Sequence, residues 1–166
     1  MIHLIWSTIN GIVILYFLYL LIGFIVKGKS IFKKPFKAFT VFMMVIGIIQ
    51  IISISTAPKD VNRITIRDNY NENNSSKIKE VVLEDNLTFI INMTIKYSID
   101  QNEYTPIESW SGLSGLVMGY VWDFKSINTD AFFANEKANF TAKGTLKWKL
   151  FGITVYTEPK TFKGMI

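Results

Sequence analysis

Two long runs without a charged side chain fill the first third of the chain and most constrain its fold. Residues 1–26 carry no charge unless His3 is protonated, and residues 38–57 carry none at all. At about 1.5 Å per residue, a helix over the second run spans roughly 30 Å, which is the thickness of a bilayer hydrocarbon core. The sequence therefore predicts a helical hairpin in a membrane over residues 1–57, with helices at about residues 4–26 and 38–57.

The segment between the two runs, residues 27–37, holds the whole formal net charge of +5. From residue 59 onward, thirteen basic side chains balance thirteen acidic ones. Short lysine-rich loops stay on the cytoplasmic side. We therefore expect a multi-pass protein of the cell membrane, with both chain ends outside the cell. The charge thus indicates topology and no nucleic-acid partner. The expected topology determinants are Lys27, Lys29, Lys33, Lys34 and Lys37.

The first run lacks the features of a cleaved secretory signal peptide. It has no basic segment before its apolar stretch and no small-x-small cleavage site after it. We therefore expect the first helix to be retained, which makes the lipid bilayer the first expected partner.

Composition excludes most catalytic constellations from the rest of the chain. The sequence has no cysteine and a single histidine, His3, so Ser-His-Asp, Cys-His and His-based zinc sites are not expected there. Nothing in the spacing of the carboxylates selects a catalytic pair. We expect a non-enzymatic protein without a cofactor. The excess of lysine over arginine, with abundant isoleucine and asparagine, indicates a low-GC bacterium.

Residues 58–166 are expected to form an extracytoplasmic, mainly antiparallel β domain, after an exit segment that opens with Pro58. Apolar side chains alternate with polar ones over residues 87–99 and again over residues 138–150, which is typical of half-buried strands. Weaker strands are expected at residues 63–67, 79–84 and 116–124, and a short helix at residues 130–138. The predicted architecture is a sandwich or curved sheet of six or seven strands.

A tight hairpin is predicted at Phe151 and Gly152, between the strand over residues 138–150 and the next one. The register of that hairpin would place Trp148 opposite Val155 and Lys147 opposite Tyr156.

Residues 111–122 form a charge-free stretch that is rich in glycine and large apolar side chains, with Trp110 just before it. It suits a loop that enters the outer leaflet or a surface that grips an apolar partner. A buried core strand is the alternative that its alternation favours. The candidate contact residues are Trp110, Leu116, Met118, Tyr120 and Trp122.

Three lysines, Lys143, Lys147 and Lys149, share one face of a predicted strand, with Tyr156 expected nearby. Such a face could meet anionic headgroups or wall polymers. Lysines also protect exposed strands against edge pairing, which is the alternative.

Two polar patterns carry weaker hypotheses. Residues 69–80 faintly match the spacing of a calcium-binding loop, although the first position is asparagine and the sixth lacks glycine. Four separate Asn-x-Ser/Thr triplets, at Asn74, Asn86, Asn92 and Asn139, would matter as glycosylation sites only in a eukaryote.

The leading functional hypothesis is a bacterial membrane protein that displays its β domain outside the cell and binds another envelope component. In that role the chain would be an immunity or accessory factor with a protein partner in the envelope. The alternative is a structural subunit of a secretion, conjugation or other envelope complex. In such a subunit, Gly11, Gly23 and Gly47 would let partner helices approach closely. The sequence leaves the oligomeric state open.

Overall fold

The computed structural model describes residues 1–31, 37–55, 62–67, 75–133, 136–150 and 152–166, with the backbone alone at residues 29, 31 and 49–55. An apolar helix, α1 (Ile2–Lys27), ends in a single 3₁₀ turn (Gly28–Ile31) and is followed by a second helix, α2 (Lys37–Ser55). The strands β1 to β8 then form a mostly antiparallel β domain. An N-terminal apolar helix before a β domain is confirmed.

Among the described residues, α1 is the one helix that is long and apolar enough to cross a membrane. Such a helix is compatible with a membrane anchor or with a signal sequence. The apolar segment found in α2, Lys37–Ile48, is shorter than a membrane span. One candidate span is therefore found where the sequence predicts two.

The two helices contact each other through a small apolar cluster. Phe17 and Leu20 of α1 are buried against Met43 and Met44 of α2. The ring of Phe17 lies directly over Gly47, where a Cβ atom would overlap it. The absence of a side chain at position 47 therefore lets the helices approach each other closely.

The β strands form two sheets. The first contains β1 (Arg63–Thr65), β4 (Glu103–Gly115), β3 (Phe89–Asp100) and β2 (Ser76–Asp85) in that spatial order, with β6 (Phe132–Phe133) also paired to β4. The second sheet contains β5 (Tyr120–Thr129), β7 (Asn139–Leu150) and β8 (Ile153–Met165) in that order. The described residues thus form eight strands, where six or seven were predicted.

One hydrophobic core lies between the two sheets and makes them a sandwich. The predicted alternation of β3 is confirmed from Phe89 to Tyr97, and that of β7 from Phe140 to Trp148, because the apolar positions are buried. The indole Nε1 of Trp122 in the second sheet donates a 2.9 Å hydrogen bond to Ser111 Oγ in the first. The buried core and this hydrogen bond together hold the two sheets against each other.

Two predictions of local structure are wrong. The helix expected at residues 130–138 is replaced at its start by β6, because the ring of Phe132 stacks on that of Tyr104 at 5.1 Å and is buried in the core. Residues 134 and 135 lie outside the described residues.

The predicted register of β7 and β8 holds at Leu150 and Lys149, which lie opposite Ile153 and Thr154, and then shifts by one residue. A bulge between Trp148 and Lys149 causes the shift. Trp148 therefore lies opposite Tyr156.

Candidate functional site

The start of α1 is packed against the β sandwich, and this junction forms the most distinctive site of the described structure. Several hydrogen bonds join the helix to the sandwich. The hydroxyl of Tyr120 donates to the carbonyl of His3 over 3.2 Å, and Trp6 Nε1 donates to the carbonyl of Gly119 over 3.1 Å. Ser7 Oγ donates to the carbonyl of Leu116 over 3.0 Å. The first two turns of the helix are thus tied to the β domain.

Aromatic packing reinforces these hydrogen bonds. The ring of His3 lies between three core rings, with its centroid 4.9 Å from Trp148, 5.1 Å from Phe89 and 5.7 Å from Tyr120. The ring of Trp6 lies 5.7 Å from that of Trp148. Burial raises the pKa of Tyr120 to about 12, with a smaller contribution from the charge of Glu158. The Tyr120 hydroxyl therefore keeps its proton at neutral pH and remains a donor to the helix.

The contact at Gly119 depends on its having no side chain. Its φ of +80° lies in the region that favours glycine, and a Cβ atom would overlap the side-chain amide of Asn10 and lie 2.8 Å from Trp6 Nε1. The Asn10 amide itself donates to the carbonyl of Trp6 over 3.0 Å.

A groove of about 570 Å³ opens between the start of α1 and the paired strands β7 and β8. We call it the helix–sheet groove. Its lining is mainly apolar and aromatic and includes one carboxylate side chain. The lining residues are Ile2, His3, Ile5, Trp6, Trp148, Val155, Tyr156 and Glu158.

The lining residue Glu158 belongs to a cluster of three charged side chains. Lys160 Nζ lies 2.9 Å from a carboxylate oxygen of Glu84 and 3.0 Å from one of Glu158. The other oxygen of Glu158 accepts a 3.3 Å hydrogen bond from Trp148 Nε1. Burial disfavours the charge on Lys160, but the two carboxylates outweigh it and raise the pKa of Lys160 above its usual value. The cluster also joins β2 of one sheet to β8 of the other.

The charge-free stretch at residues 111–122 is divided between β4, a loop and β5. Tyr120 and Trp122 are buried in the core, as the core-strand alternative predicts. Leu116 and Met118, in the loop before β5, expose 52% and 45% of their surface. The same loop accepts the hydrogen bonds from Trp6 and Ser7, so exposed apolar side chains lie beside the helix.

The three strand lysines lie apart from Tyr156. Lys143 is exposed and lines a polar depression of about 490 Å³ with Lys163. Lys147 donates to the buried carboxylate of Asp123 over 2.8 Å, and Lys149 is partly exposed. Because of the bulge, Tyr156 lies on the side of Trp148 and lines the helix–sheet groove instead.

Asp123 is held by two cations. Lys125 Nζ lies 2.7 Å and Lys147 Nζ 2.8 Å from the same carboxylate oxygen. Burial opposes the negative charge, but the hydrogen bonds from the two lysines outweigh it and lower the pKa of Asp123.

The remaining sequence candidates are scattered. Trp110 is partly exposed on β4, with the Arg63 guanidinium 5.9 Å from its ring centroid. Lys27 ends α1 and Lys37 begins α2, whereas Lys33 and Lys34 lie outside the described residues, as does the Lys29 side chain.

The first half of the predicted calcium loop, residues 69–74, lies outside the described residues. Within the part of the chain that is described, no three histidine or carboxylate side chains are grouped so that they could hold a metal ion.

Sequence reasoning missed the groove. His3 and Trp6 are ordinary members of an apolar helix in the sequence, and Trp148 is an ordinary member of a strand. The one available indication was that two ring side chains, His3 and Trp6, lie three residues apart in the first turns of α1 and so share a helix face.

Comparisons with known proteins give no family. No family model and no curated protein matches the chain. A solved structure that it resembles is a two-domain protein of unknown function from Bacteroides thetaiotaomicron VPI-5482, with 15% sequence identity and a TM-score of 0.39. The match covers 57% of this chain, and the chain spans about half (49%) of the length of that protein.

Proposed function

We propose that the chain is a non-enzymatic bacterial membrane protein whose two helices cross the cell membrane and whose β sandwich lies outside the cell. The lysine-rich segment would be cytoplasmic and the chain's start would lie on the same side as the sandwich. The sandwich would bind another envelope component, and the chain would act as an immunity or accessory factor.

The observation that carries this proposal is the docking of the start of α1 on the sandwich. About 20 helical residues span a hydrocarbon core, and counting back 20 residues from Lys27 reaches Ser7. The helix residues that are hydrogen-bonded to the sandwich, His3, Trp6 and Ser7, would then lie at the outer boundary of the membrane. Trp6 would occupy the interfacial zone that tryptophan favours, and the exposed Leu116 and Met118 would meet the outer leaflet. Side-chain burial and bilayer thickness thus both support the proposed position of the sandwich.

The packing of α2 against α1 supports a double crossing. The Phe17 ring over Gly47 and the buried Met43 and Met44 give the helices a shared apolar contact, and their other faces expose large apolar side chains such as Leu15 and Phe42. Exposed apolar faces of this size suit lipid better than water.

The surroundings of the ionisable groups support a binding role over catalysis. The ring of His3 is packed among aromatic side chains, with Nδ1 3.2 Å from the Tyr120 hydroxyl. Glu84 pairs with Lys160, and Asp123 pairs with Lys125 and Lys147. These carboxylates have cationic partners of the kind that structural ion pairs use.

A growth challenge tests the immunity role. Cells that carry the chain, cells that lack it and cells that carry an unrelated two-span membrane protein at equal expression would be exposed to candidate secreted toxins. We expect survival only in the first group for at least one toxin. Equal killing of all three groups across the panel would remove immunity as the function.

A structural subunit of a secretion, conjugation or other envelope complex is the second candidate. It is favoured by β8, which pairs with β7 along one side and has no strand partner on its other side among the described residues. An unpaired edge can accept a strand from another chain. Against it, Gly47 is covered by Phe17 and Gly11 faces Met118 of the same chain. Purification in mild detergent separates the two roles, since a subunit should retain membrane partners in fixed proportion.

A further inference from the structure

We propose that the helix–sheet groove binds an amphiphile that has an alkyl chain and a positively charged ammonium headgroup. This assignment rests on the proposed binding role in the envelope and names the chemistry of what is bound. The argument uses the apolar walls of the groove, its aromatic faces and the charge at its end.

The walls of the groove are apolar side chains that the fold leaves exposed. Ile2 and Ile5 of α1 expose 64% and 58% of their surface, and Val155 of β8 exposes 53%. The volume of about 570 Å³ lies within the range of small-molecule sites, which are also mainly apolar. An alkyl chain laid between the helix and β8 would cover these three side chains.

Aromatic rings line the groove next to these walls. The rings of Trp148 and Tyr156 meet edge to face with centroids 5.9 Å apart, and Trp6 packs on Trp148 from the helix side. Tyr156 is 57% exposed although it has this aromatic neighbour. Ring faces of tryptophan and tyrosine attract cations, and sites for quaternary ammonium ligands are built from them.

The charge of the groove favours a cation over an anion. Glu158 is the acidic residue of the lining, and its carboxylate is held in position by Trp148 Nε1. Glu158 belongs to a cluster of two carboxylates, Glu84 and Glu158, and one ammonium, Lys160. The three side chains together carry a net charge of −1. An ammonium group complements this charge, whereas a headgroup whose only charged group is a phosphate or a carboxylate would be repelled.

The proposed position of the groove would give it access to such ligands. The groove lies beside residues 2–6 of α1, which in the proposed topology are at the outer boundary of the hydrocarbon core. An ammonium there could belong to a membrane lipid or to a free cationic amphiphile that enters from outside the cell. Both sources have the same binding chemistry.

Native mass spectrometry of the full chain in dodecyl maltoside tests the proposal. The chain would be titrated with dodecyltrimethylammonium and, separately, with laurate, which has a chain of similar length and the opposite charge. We expect one bound dodecyltrimethylammonium with an affinity at least about tenfold higher than that of laurate. Equal affinities, or tighter binding of laurate, would overturn the proposal.

Two pairs of variants locate the binding. Glu158→Gln removes the lining carboxylate and should weaken dodecyltrimethylammonium binding about tenfold. Glu84→Gln removes the other partner of Lys160 without changing the lining and should have a clearly smaller effect. Tyr156→Leu should weaken binding about threefold because it removes the ring face, and Tyr156→Phe should not. Binding that none of these variants alters would place the ligand elsewhere and refute the assignment.

Nanodiscs distinguish the two sources. In discs of phosphatidylglycerol alone, dodecyltrimethylammonium should bind to the groove. If the natural ligand is a lipid, adding phosphatidylethanolamine to the discs should displace dodecyltrimethylammonium. If the natural ligand is a free amphiphile, added phosphatidylethanolamine should leave the binding of dodecyltrimethylammonium unchanged. Absence of Glu158-dependent binding in both kinds of disc would overturn the proposal. The topology would remain open to separate test by cysteine labelling.

Discussion

Gly119→Ala is the substitution that most directly perturbs the docking of α1 on the sandwich. The φ of Gly119 is +80°, and a Cβ atom there would overlap the Asn10 amide and lie 2.8 Å from Trp6 Nε1. An alanine must therefore adopt an unfavourable backbone conformation and also push two helix side chains away. The Trp6 hydrogen bond to the Gly119 carbonyl, 3.1 Å long, should be lost with that movement.

The expected cost follows from these two effects. A left-handed backbone costs an alanine about 1–2 kcal/mol, and loss of one hydrogen bond costs about 1 kcal/mol more. The free energy of unfolding should therefore fall by about 2–3 kcal/mol. For a chain of this size that corresponds to a decrease in Tm of roughly 5–10 °C.

Two measurements on the full chain in detergent check this expectation. Thermal unfolding gives the decrease in Tm, and a short thiol-specific cross-linker between Ser7→Cys and Leu116→Cys reports whether the helix stays docked. Wild-type Ser7 Oγ and the Leu116 carbonyl are 3.0 Å apart, and the chain has no native cysteine to interfere. Gly119→Ala should reduce the cross-linking yield as well as Tm.

Gly112→Ala is the matched control. Gly112 lies on β4 without a positive φ and with no heavy atom near a Cβ position, so alanine there should change stability by less than about 0.5 kcal/mol. If Gly119→Ala matched Gly112→Ala in both Tm and cross-linking, the docking of α1 on the sandwich would be refuted.

Three further substitutions probe other parts of the fold. Gly47→Ala should destabilise the helix pair by about 1–3 kcal/mol in dodecyl sulfate unfolding, because its Cβ would overlap the Phe17 ring, whereas Gly11→Ala makes only an ordinary contact with Met118. The lowered pKa of Asp123 stabilises the fold above the ordinary pKa of aspartate, and this contribution is lost as pH falls through the lowered pKa. Asp123→Asn should therefore flatten the acid end of a stability–pH profile. A profile as steep as that of the wild type would exclude this role for Asp123. Lys160→Met leaves Glu84 and Glu158 facing each other and should cost about 1–2 kcal/mol in urea unfolding, since all three groups keep some solvent contact. The double variant Lys160→Met with Glu84→Gln should recover part of this loss, and no recovery would argue against repulsion.

The strands with strict alternation were predictable because burial on one face imposes a period of two. Phe89 to Tyr97 and Phe140 to Trp148 follow this pattern. β4 was missed because its inward positions include small polar side chains. Ser109 and Ser111 are buried there, and their hydroxyls donate to the carbonyls of Thr94 and Asn92 on β3. Polar residues therefore occupy buried positions at which the alternating pattern predicts apolar residues.

The candidate site was less predictable than the fold. The groove depends on the pairing of α1 with a loop more than 100 residues away, and that pairing uses the backbone carbonyls of Leu116 and Gly119. Every residue has a backbone carbonyl, so the sequence does not indicate which carbonyls accept these hydrogen bonds. Tyr156 was also assigned to the wrong face, because the bulge at Trp148 shifts the register by one residue and a one-residue shift reverses every side chain beyond it.

The proposed topology can be tested most directly by labelling single cysteines on intact cells. Ser30→Cys lies just after α1, within the lysine-rich segment, and Ser126→Cys lies on an exposed position of β5. With a membrane-impermeant maleimide, we expect labelling of Ser126→Cys alone, and labelling of both variants once the cells are opened. Labelling of Ser30→Cys on intact cells would contradict a cytoplasmic lysine-rich segment and an outer β sandwich.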